Sequence, residues 1–403
     1  MLISKYSCRL CHSDNIEELV KFGERPITKR LLESPLIDKE YVYPITLFFC
    51  RRCGFVQILN VIPEKELYTN YVLSTSWKPQ PHLKDEIEEL IRNRYISKNN
   101  FAIEIGCNDG IALRFLREYG IVKILGIEPS HDVAKKASSL GFDVTNDYFT
   151  REKALPIIRR YGQADLVICR QVLEHISYID SFMEGIRSIL NKDGIVLFEV
   201  PDFSVPLKYG DISAIWEEHV NYFTEDSLAQ LLTHYGFEIL VTKKYNFSGG
   251  ALCVIARYAH NRSQPIMNIS KNKLDYILCY SQNIKSFLEK IVNELKAEKR
   301  NGGKIAIYGA GNRSVILLNY ILKDYVDIVV DDQPEKQNRF VPMCHLPILS
   351  PEELQRQKIT LCLLAVNAEN EDIVIEKNKD FTGNGGRFIS VLAPSTYLVD
   401  NTK

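Results

Sequence analysis

The chain has 403 residues, which is too long for one ordinary domain and predicts two or three domains, each large enough to bury a core. Charged residues make up 25% of the sequence and the formal net charge is -1, so no global field would recruit nucleic acid or an anionic membrane. No apolar run approaches the roughly 20 residues that cross a bilayer, and the first residues lack the pattern of a secretion signal. We therefore expect a cytoplasmic protein with no nucleic-acid or membrane partner.

The first distinctive pattern is a repeated cysteine pair, found as Cys8-x-x-Cys11 and again as Cys50-x-x-Cys53. Two knuckles, each presenting two thiolates from a tight turn, can complete a tetrahedral shell around zinc with no open position for chemistry. We therefore predict a structural zinc ion in a zinc-binding module over residues 1–75. Unrelated buried cysteines and redox dithiols are the alternatives, and we expect His12 to stay outside the shell.

A run rich in aromatic and hydroxyl side chains follows the second cysteine pair and extends from Leu67 through Tyr71 to Trp77. Such a run is unusual in a linker, and it is suited to lining a cleft. The alternative is that its aromatic side chains pack as ordinary linker residues.

The chain is organised around the stretch from Phe101 to Gly110, which predicts a buried strand, a glycine turn and the start of a helix. Gly106 and Gly110 frame a loop where the backbone would come close to a ligand. A second strand leads to Glu128, the position where α/β sheets usually offer a carboxylate to ribose hydroxyls. An ordinary strand-to-helix turn is the alternative, but the acid that follows favours a nucleoside-binding site.

Strand and helix patterns then alternate, which predicts a doubly wound parallel sheet with its ligand at the carboxyl ends of the strands. The order of elements over residues 76–260 matches a class I methyltransferase, which binds S-adenosylmethionine, better than a nicotinamide enzyme. Polar Asn108 and Asp109 would face an amino-acid group, whereas a pyrophosphate site needs close-packed backbone amides. The candidate cofactor-binding residues are Glu104, Gly106, Asn108, Asp109, Gly110, Glu128, Pro129, Asp147, Tyr148 and Arg170.

Residues 261–300 are helical in pattern and rich in charge, which predicts a helical linker with a bend near Ser281. A second α/β unit begins at Lys304 and predicts a Rossmann-like C-terminal domain over residues 301–403. Its Gly-x-Gly loop lacks a third glycine, so an independent dinucleotide site is the weaker interpretation. We expect the loop tip, residues 309–314, to form one wall of a cleft shared with the methyltransferase core.

A set of motifs covers nearly the whole chain: the paired CxxC knuckles, Glu-Ile-Gly-Cys-Asn-Asp-Gly, Val-Leu-Glu-His-Ile, Glu-His-Val-Asn-Tyr-Phe, Gly-Gly-Ala-Leu, Tyr-Gly-Ala-Gly and Asp-Asp-Gln-Pro-Glu-Lys-Gln. Together these motifs resemble the three-part sugar C-methyltransferases, which methylate C-3 of nucleotide-linked deoxysugars. The resemblance implies an α/β fold with a class I methyltransferase (Rossmann-like) core, a small N-terminal zinc module and a second Rossmann-like C-terminal domain.

The resemblance also implies methyl transfer from S-adenosylmethionine to the carbon beside a ketone on a nucleotide-linked keto sugar. In the family, a histidine of the Glu-His-x-x-Tyr-Phe segment is the base, assisted by a second histidine after the fourth strand and by tyrosines. The matching residues are His219 and His175, with Glu218 beside the base. The chemistry itself needs a base of near-neutral pKa and donors that hold an enolate oxygen. A structural role is the alternative for each histidine, and Glu218 is either the orienting partner of His219 or a solvated acid.

One position departs from the family pattern, because Trp216 stands where many members carry a tyrosine. Indole can donate a hydrogen bond and stack on a ring, but it cannot act as a phenolic acid. The protonation role would then pass to Tyr71 or to water, or the reaction would differ. The alternatives are an O-methyltransferase in which His219 deprotonates a sugar hydroxyl and a catalytically silent nucleotide-sugar-binding protein. A nicotinamide oxidoreductase is more remote.

Overall fold

The computed structural model describes residues 6–36, 40–67, 80–259 and 263–399. Tyr71, the tyrosine that we expected in the site, lies outside the described residues, as does the rest of the aromatic run from residue 68 to residue 79. The part before this run contains β1 (Ile16–Pro26), β2 (Val42–Cys50), β3 (Val56–Ile58) and the short helix α1 (Glu64–Leu67).

The middle of the chain alternates strands and helices. Its elements are α2 (Pro81–Arg92), β4 (Phe101–Ile105), α3 (Ile111–Glu118), β5 (Lys123–Ile127), α4 (His131–Ser139), β6 (Asp143–Thr145), α5 (Arg151–Tyr161), β7 (Ala164–Arg170), a 3-10 turn (Leu173–His175), α6 (Ile179–Ile189), β8 (Leu190–Pro201), α7 (Ser204–Tyr209), a 3-10 turn (Ile212–Ala214), β9 (Asn221–Tyr222), α8 (Glu225–His234), β10 (Phe237–Tyr245) and β11 (Ala251–Tyr258).

Two helices lead from this region to a second α/β unit. The elements are α9 (Lys271–Leu278), α10 (Tyr280–Arg300), β12 (Ile305–Tyr308), α11 (Asn312–Leu317), a π-helical turn (Leu318–Leu322), β13 (Ile328–Val330), β14 (Ile348–Leu349), α12 (Glu353–Arg356), β15 (Leu361–Leu364), a 3-10 turn (Ala368–Asn370), α13 (Glu371–Lys377), α14 (Lys379–Gly383) and β16 (Arg387–Ser390). The helical linker is interrupted at Cys279, close to the bend predicted near Ser281.

The central sheet has seven strands in the order β10-β11-β8-β7-β4-β5-β6. β4 to β8 run parallel, whereas β11 is antiparallel to both β8 and β10. This is the strand order of a class I methyltransferase, so the predicted fold of the core is confirmed. All residues of β4 are buried, because helices cover both faces of a parallel sheet and each face needs apolar side chains.

A smaller four-stranded antiparallel sheet joins the cysteine-rich segment to the core. Its order is β1-β2-β3-β9, and β9 belongs to the middle of the chain. The register pairs Val56 of β3 with Tyr222 of β9. The first module is therefore hydrogen-bonded directly to the segment that carries His219.

The third sheet has five parallel strands in the order β14-β13-β12-β15-β16, as expected for a second Rossmann-like unit. Helix α10 leads into it and buries one face at helical spacing, with Ile284, Leu288, Ile291 and Leu295 pointing inward. Across the described residues, no helix has both the length and the hydropathy that a membrane crossing requires.

Candidate functional site

The four knuckle cysteines converge on one point beside the first sheet. Their sulfur atoms all lie within 4.8 Å of one another, and two cross-knuckle contacts join Cys8 to Cys53 at 3.6 Å and Cys11 to Cys50 at 3.5 Å. A tetrahedron of sulfurs about 2.3 Å from zinc has edges of about 3.8 Å, so the arrangement fits a four-thiolate zinc site.

All four knuckle thiols are buried, and each is a free thiol instead of half of a disulfide. His12 points elsewhere, because its Nε2 lies 3.4 Å from Asp180 Oδ2. This placement agrees with its expected exclusion from the metal shell.

A cavity of about 440 Å³ lies at the carboxyl ends of β4, β5 and β7. Its size falls within the ~300–1,000 Å³ that is typical of small-molecule sites. Except for Gly110, the residues predicted to bind the cofactor line it, and so do two of those predicted to act in catalysis. These lining residues are Glu104, Gly106, Asn108, Asp109, Glu128, Pro129, Asp147, Tyr148, Arg170, His175 and Glu218.

Several lining residues carried no signal in the sequence. Gln80 reaches the cavity from the start of α2, and Tyr178 and Phe182 reach it from the start of α6. They could be identified only in the folded chain, where the starts of these helices lie beside the strand ends. Gln171 follows β7 directly and has a positive φ of 52°, a local strain that sequence patterns did not indicate.

Glu128 occupies the position expected of a ribose-binding acid at the end of β5. One carboxylate oxygen accepts a hydrogen bond from the backbone amide of Asn108 at 3.0 Å, and the other accepts one from the amide of Ser130 at 2.9 Å. Because a carboxylate can accept about four hydrogen bonds, capacity for two hydroxyl donors remains. Burial raises the pKa of Glu128, and the two amide donors oppose this rise.

The glycines of the loop are required by the backbone conformation and by packing, and Gly106 also lines the cavity. Gly106 has a φ of 73°, and a Cβ atom there would lie 2.4 Å from Cγ2 of Val172. Gly110 has a φ of 85° and precedes α3 as its N-cap, with Phe142 beside it instead of the cavity.

The two polar residues of the loop are already engaged in local contacts. Asn108 has a φ of 48°, and its side-chain oxygen accepts a hydrogen bond from the amide of Asp109 at 2.8 Å. The carboxylate of Asp109 pairs with Lys136 of α4 at 2.8 Å. Both residues remain on the cavity wall, so they present an anion and an amide to a bound ligand.

Arg170 is anchored beneath the cavity by buried acids. Its Nη2 lies 3.0 Å from Oε2 of Glu199 and donates to Oε1 of Gln80 at 2.6 Å, while its Nε lies 3.4 Å from Glu86. These contacts hold the side chain of Arg170, the last residue of β7, in place. Any contact between Arg170 and a ligand would therefore use a side chain that is already held in place.

Glu104 lies in β4 beside this network, and burial raises its pKa to about 8. One of its oxygens, Oε2, is buried without a hydrogen-bond partner among the described residues. Arg170 partly opposes the rise in pKa, whereas Glu128 and Asp109 add to it. A buried acceptor of this kind on a cavity wall is suited to a cationic or hydrogen-bond-donating ligand.

The loop after β6 places Asp147 and Tyr148, two of the predicted cofactor-binding residues, at the outer edge of the cavity. Asp147 pairs with Lys153, and Tyr148 is 41% exposed. The carbonyl of Pro129 accepts a hydrogen bond from the side chain of Asn146 at 3.0 Å, which ties this loop to the end of β5.

The two histidines lie together, with His175 on the cavity wall and His219 buried behind it. Their ring centroids are 4.8 Å apart in an edge-to-face arrangement, and the ring of Trp216 lies 3.9 Å from that of His219. Burial lowers the pKa of both imidazoles, and that of His219 falls well below its ordinary value. Both rings are therefore neutral near pH 7.

The position of Glu218 corrects the interpretation of this residue as a solvated acid. It is buried, so it is not a solvated acid, and its carboxylate Oε2 accepts a hydrogen bond from Lys29 at 2.9 Å. Its second oxygen, Oε1, is buried and has no partner within the described ranges. The residue contacts the histidine pair through its backbone, because its carbonyl lies 2.9 Å from Nδ1 of His175.

A further buried acid, Glu174, was missed by sequence reasoning although it belongs to the Val-Leu-Glu-His-Ile motif. Neither of its oxygens has a hydrogen-bond partner in the part of the chain that the structure describes, and burial raises its pKa to about 8. A carboxylate oxygen of Glu174 and ring nitrogens of the two histidines lie within 4.8 Å of one another.

The glycine loop of the C-terminal unit does not line the cavity within the described chain, which corrects the expectation of a shared wall. Arg313 at its tip pairs with Asp211 at 2.7 Å and donates to Ser213 at 2.9 Å. Its guanidinium also packs against Gly249 of the β10–β11 turn. The loop therefore serves as a contact between the core and the C-terminal unit.

Three protein-family models match successive parts of the chain. Residues 8–68 match the family described as "Putative zinc binding domain", residues 80–242 match "Methyltransferase domain", and residues 247–393 match "C-methyltransferase C-terminal domain". The matches follow the order that the motifs predicted.

A full-length relative and several solved structures are also similar. The chain is 27% identical over 403 residues to C-methyltransferase NovU of Streptomyces niveus, an alignment that covers 95% of this chain and 94% of NovU. Magnesium protoporphyrin IX methyltransferase from Synechocystis, solved with bound S-adenosylmethionine, is 12% identical with a TM-score of 0.34, covering 48% of this chain and 89% of its own. An S-adenosylmethionine-dependent methyltransferase from Archaeoglobus fulgidus is 16% identical with a TM-score of 0.33. The match covers 43% of this chain and 94% of that protein.

Proposed function

Because this chain belongs to the three-part C-methyltransferase family and is an S-adenosylmethionine-dependent methyltransferase, we propose that it methylates the carbon beside a ketone on a nucleotide-linked keto sugar. The observation that carries this proposal is the position of His175. It lines the cavity at the carboxyl ends of the strands and also contacts the buried ring of His219. The proposed nucleoside site and the proposed base therefore lie side by side.

The cavity walls fit the proposed cofactor at two points. Glu128 keeps lone pairs for ribose hydroxyls, and Oε2 of Glu104 offers a buried acceptor without a partner in the described chain. When bound, S-adenosylmethionine supplies an electrophilic methyl group. The part of the chain is to hold this group beside the acceptor, since placing two reactants together can supply much of the rate enhancement.

His219 is the proposed base. A carbon beside a carbonyl is a poor nucleophile until a proton is removed, and a neutral imidazole can take that proton. Burial keeps His219 neutral, and the edge-to-face contact with His175 fixes its ring. His175 donates its Nδ1–H to the carbonyl of Glu218, so Nε2 of the neutral ring is a hydrogen-bond acceptor and the donor to the enolate oxygen must be another group.

Trp216 and Tyr71 complete the proposal for the acceptor side. Trp216 packs against His219 with its ring tilted by 41°, and its Nε1 is buried without a hydrogen-bond partner among the residues described. An oxygen of the acceptor substrate could accept a hydrogen bond from this N–H, but the indole cannot act as an acid. We propose Tyr71 as the phenolic group that the tryptophan cannot replace.

We further propose that the four-cysteine cluster holds one structural zinc ion in a module over residues 1–75, followed by a core over residues 76–260, a linker over residues 261–300 and a C-terminal domain over residues 301–403. The closed four-sulfur geometry supports a structural role, because no ligand position stays open when all four described thiols bind. Elemental analysis of purified protein should find one zinc per chain, and a metal-free, fully folded protein would refute the site.

The experiment that tests the function uses a panel of nucleotide-linked 4-keto sugars and S-adenosylmethionine with a ¹³C-labelled methyl group. We expect NMR to place the label on a carbon next to the ketone, which the reaction leaves in place. A label found only on oxygen would replace the proposal with a sugar O-methyltransferase. Failure to bind S-adenosylmethionine at millimolar concentration would favour a catalytically silent nucleotide-sugar-binding protein.

A further inference from the structure

We propose that Lys29, which comes from the cysteine-rich first module, is a positioning residue of the methyl-transfer site and acts through Glu218. The inference rests on the proposed function. The ammonium group of Lys29 donates to the carboxylate of Glu218 at 2.9 Å, and the backbone carbonyl of Glu218 lies 2.9 Å from Nδ1 of His175. Glu218 is thus the residue that connects Lys29 of the first module to His175.

This contact is one of two neighbouring contacts that the first module makes with the segment before His219. Thr28 donates twice to the same oxygen of Glu217, from its amide at 2.7 Å and from its hydroxyl at 2.8 Å. Two consecutive residues of the first module therefore hold two consecutive carboxylates of the segment that leads into His219. Because both carboxylates are buried, each needs these partners more than a solvent-exposed acid would.

Two other contacts fix the same segment from the same side. Strand β3 pairs with β9, and the guanidinium of Arg9, the residue after the first knuckle cysteine, donates to the carbonyl of Val220 at 2.9 Å. These contacts hold the backbone beyond His219. Lys29 differs from them because it brings the positive charge that balances a carboxylate on the cavity wall.

The charge of Lys29 also acts on both histidines. Burial is the main cause of the low pKa of both imidazoles. The nearby Lys29 cation lowers both pKa values further, whereas Glu218 raises the pKa of His175. Two further titratable groups lie near the histidine pair among the described residues. Glu174 lies beside the two rings, and Glu217 lies next to Glu218. Neutralising position 29 should therefore raise the pKa of the histidines and loosen the orientation of His175.

The test compares Lys29→Met with Lys29→Arg and with Lys21→Met, a neutral control at an exposed position of β1. We expect Lys29→Met to lower kcat roughly 10- to 100-fold, as expected when a reacting group is misplaced, while the Kd for S-adenosylmethionine stays within a few-fold. The acid limb of the pH profile of kcat should move to higher pH. Lys29→Arg should recover most of kcat, and Lys21→Met should match the wild type.

A second background keeps the test decisive if Lys29→Met alone folds poorly, since Glu218 would then be a buried charge without its partner. Glu218→Gln removes that charge. If Lys29 acts through Glu218, adding Lys29→Met to the Glu218→Gln variant should change kcat less than about twofold, because the two changes break one interaction. An equal loss in both backgrounds, or an unchanged kcat and pH profile in Lys29→Met, would overturn the proposal.

Histidine-selective ¹⁵N NMR of the free protein separates this inference from the proposed function. Titration should show higher pKa values for the two site imidazoles in Lys29→Met than in the wild type, whatever acceptor is methylated. If no keto sugar is methylated while these shifts occur, the proposed function fails and the link from Lys29 stands. If the imidazoles titrate as in the wild type, the link fails.

Discussion

The imidazole rings of His175 and His219 meet edge to face, with their centroids 4.8 Å apart. One ring lines the cavity and is held by a backbone carbonyl, while the other is buried behind it against Trp216. Burial keeps both neutral, so the pair can accept one proton without first losing one.

Replacing the proposed base should stop the reaction without removing the cofactor site. We expect His219→Asn to lower kcat by about 10²–10⁴-fold, the usual contribution of general base catalysis. The affinity for S-adenosylmethionine, measured by calorimetry, should change by no more than a few-fold because His219 lies behind the residues that line the cavity. The matched control is His234→Asn at the end of α8, and loss of activity there would point to a general effect on folding.

At saturating S-adenosylmethionine, the pH dependence of kcat/KM for the acceptor should report the lowered pKa of His219. A base works in its deprotonated form, so activity falls as the pH drops through its pKa and is constant above it. Because burial places this pKa well below its ordinary value, the acid limb should lie below about pH 6.5. An acid limb at or above about pH 7 that disappears in His219→Asn would contradict a buried neutral base.

Glu104 should link cofactor binding to proton release. Burial raises its pKa to about 8 in the free protein, so it is largely protonated at pH 7. A cationic ligand beside it favours the ionised form, so affinity should rise with pH up to about 8 and level off above it. Calorimetry in buffers of different ionisation enthalpy should detect the released proton.

Glu104→Gln should abolish this proton release, whereas Glu118→Gln at the exposed end of α3 should leave it unchanged. Equal proton release in wild type and Glu104→Gln would show that another group is responsible.

Gly106 should not tolerate alanine, for two separable reasons. Its φ of 73° costs an L residue about 1–2 kcal/mol, and the added Cβ would lie 2.4 Å from Cγ2 of Val172, which adds about 1–3 kcal/mol of overpacking. Denaturant unfolding should show the combined loss. In a double-mutant cycle, Val172→Ala should remove the packing part and leave the backbone part. Strictly additive effects would contradict the contact.

Local patterns predicted the parts of the site that are contiguous in sequence. Phe101–Ile105 forms the buried strand, and Glu128 lies at the end of the next strand, because alternating apolar residues and strand ends are local properties. The cysteine pairs converge as expected from their spacing. The fold of the core and the presence of a second Rossmann-like unit followed from the same periodicity.

Contacts between distant segments could not be predicted in this way. Lys29 and Glu218 are 189 positions apart, and neither pattern indicates the other. The requirement for glycine at position 106 comes from Val172, which belongs to a different loop. The Val-Leu-Glu-His-Ile motif does not distinguish Glu174 from a solvated acid, because its burial without a partner among the described residues arises only in the folded chain.

The central claim, that His219 removes a proton from carbon, is tested most directly by hydrogen exchange. The enzyme is incubated in D₂O with an acceptor keto sugar and no methyl donor, and the C–H signal beside the ketone is followed by ¹H NMR. We predict that wild-type protein exchanges this hydrogen for deuterium and that His219→Asn exchanges it at least about 100-fold more slowly. Equal exchange by the two proteins would contradict the assignment of His219 as the base.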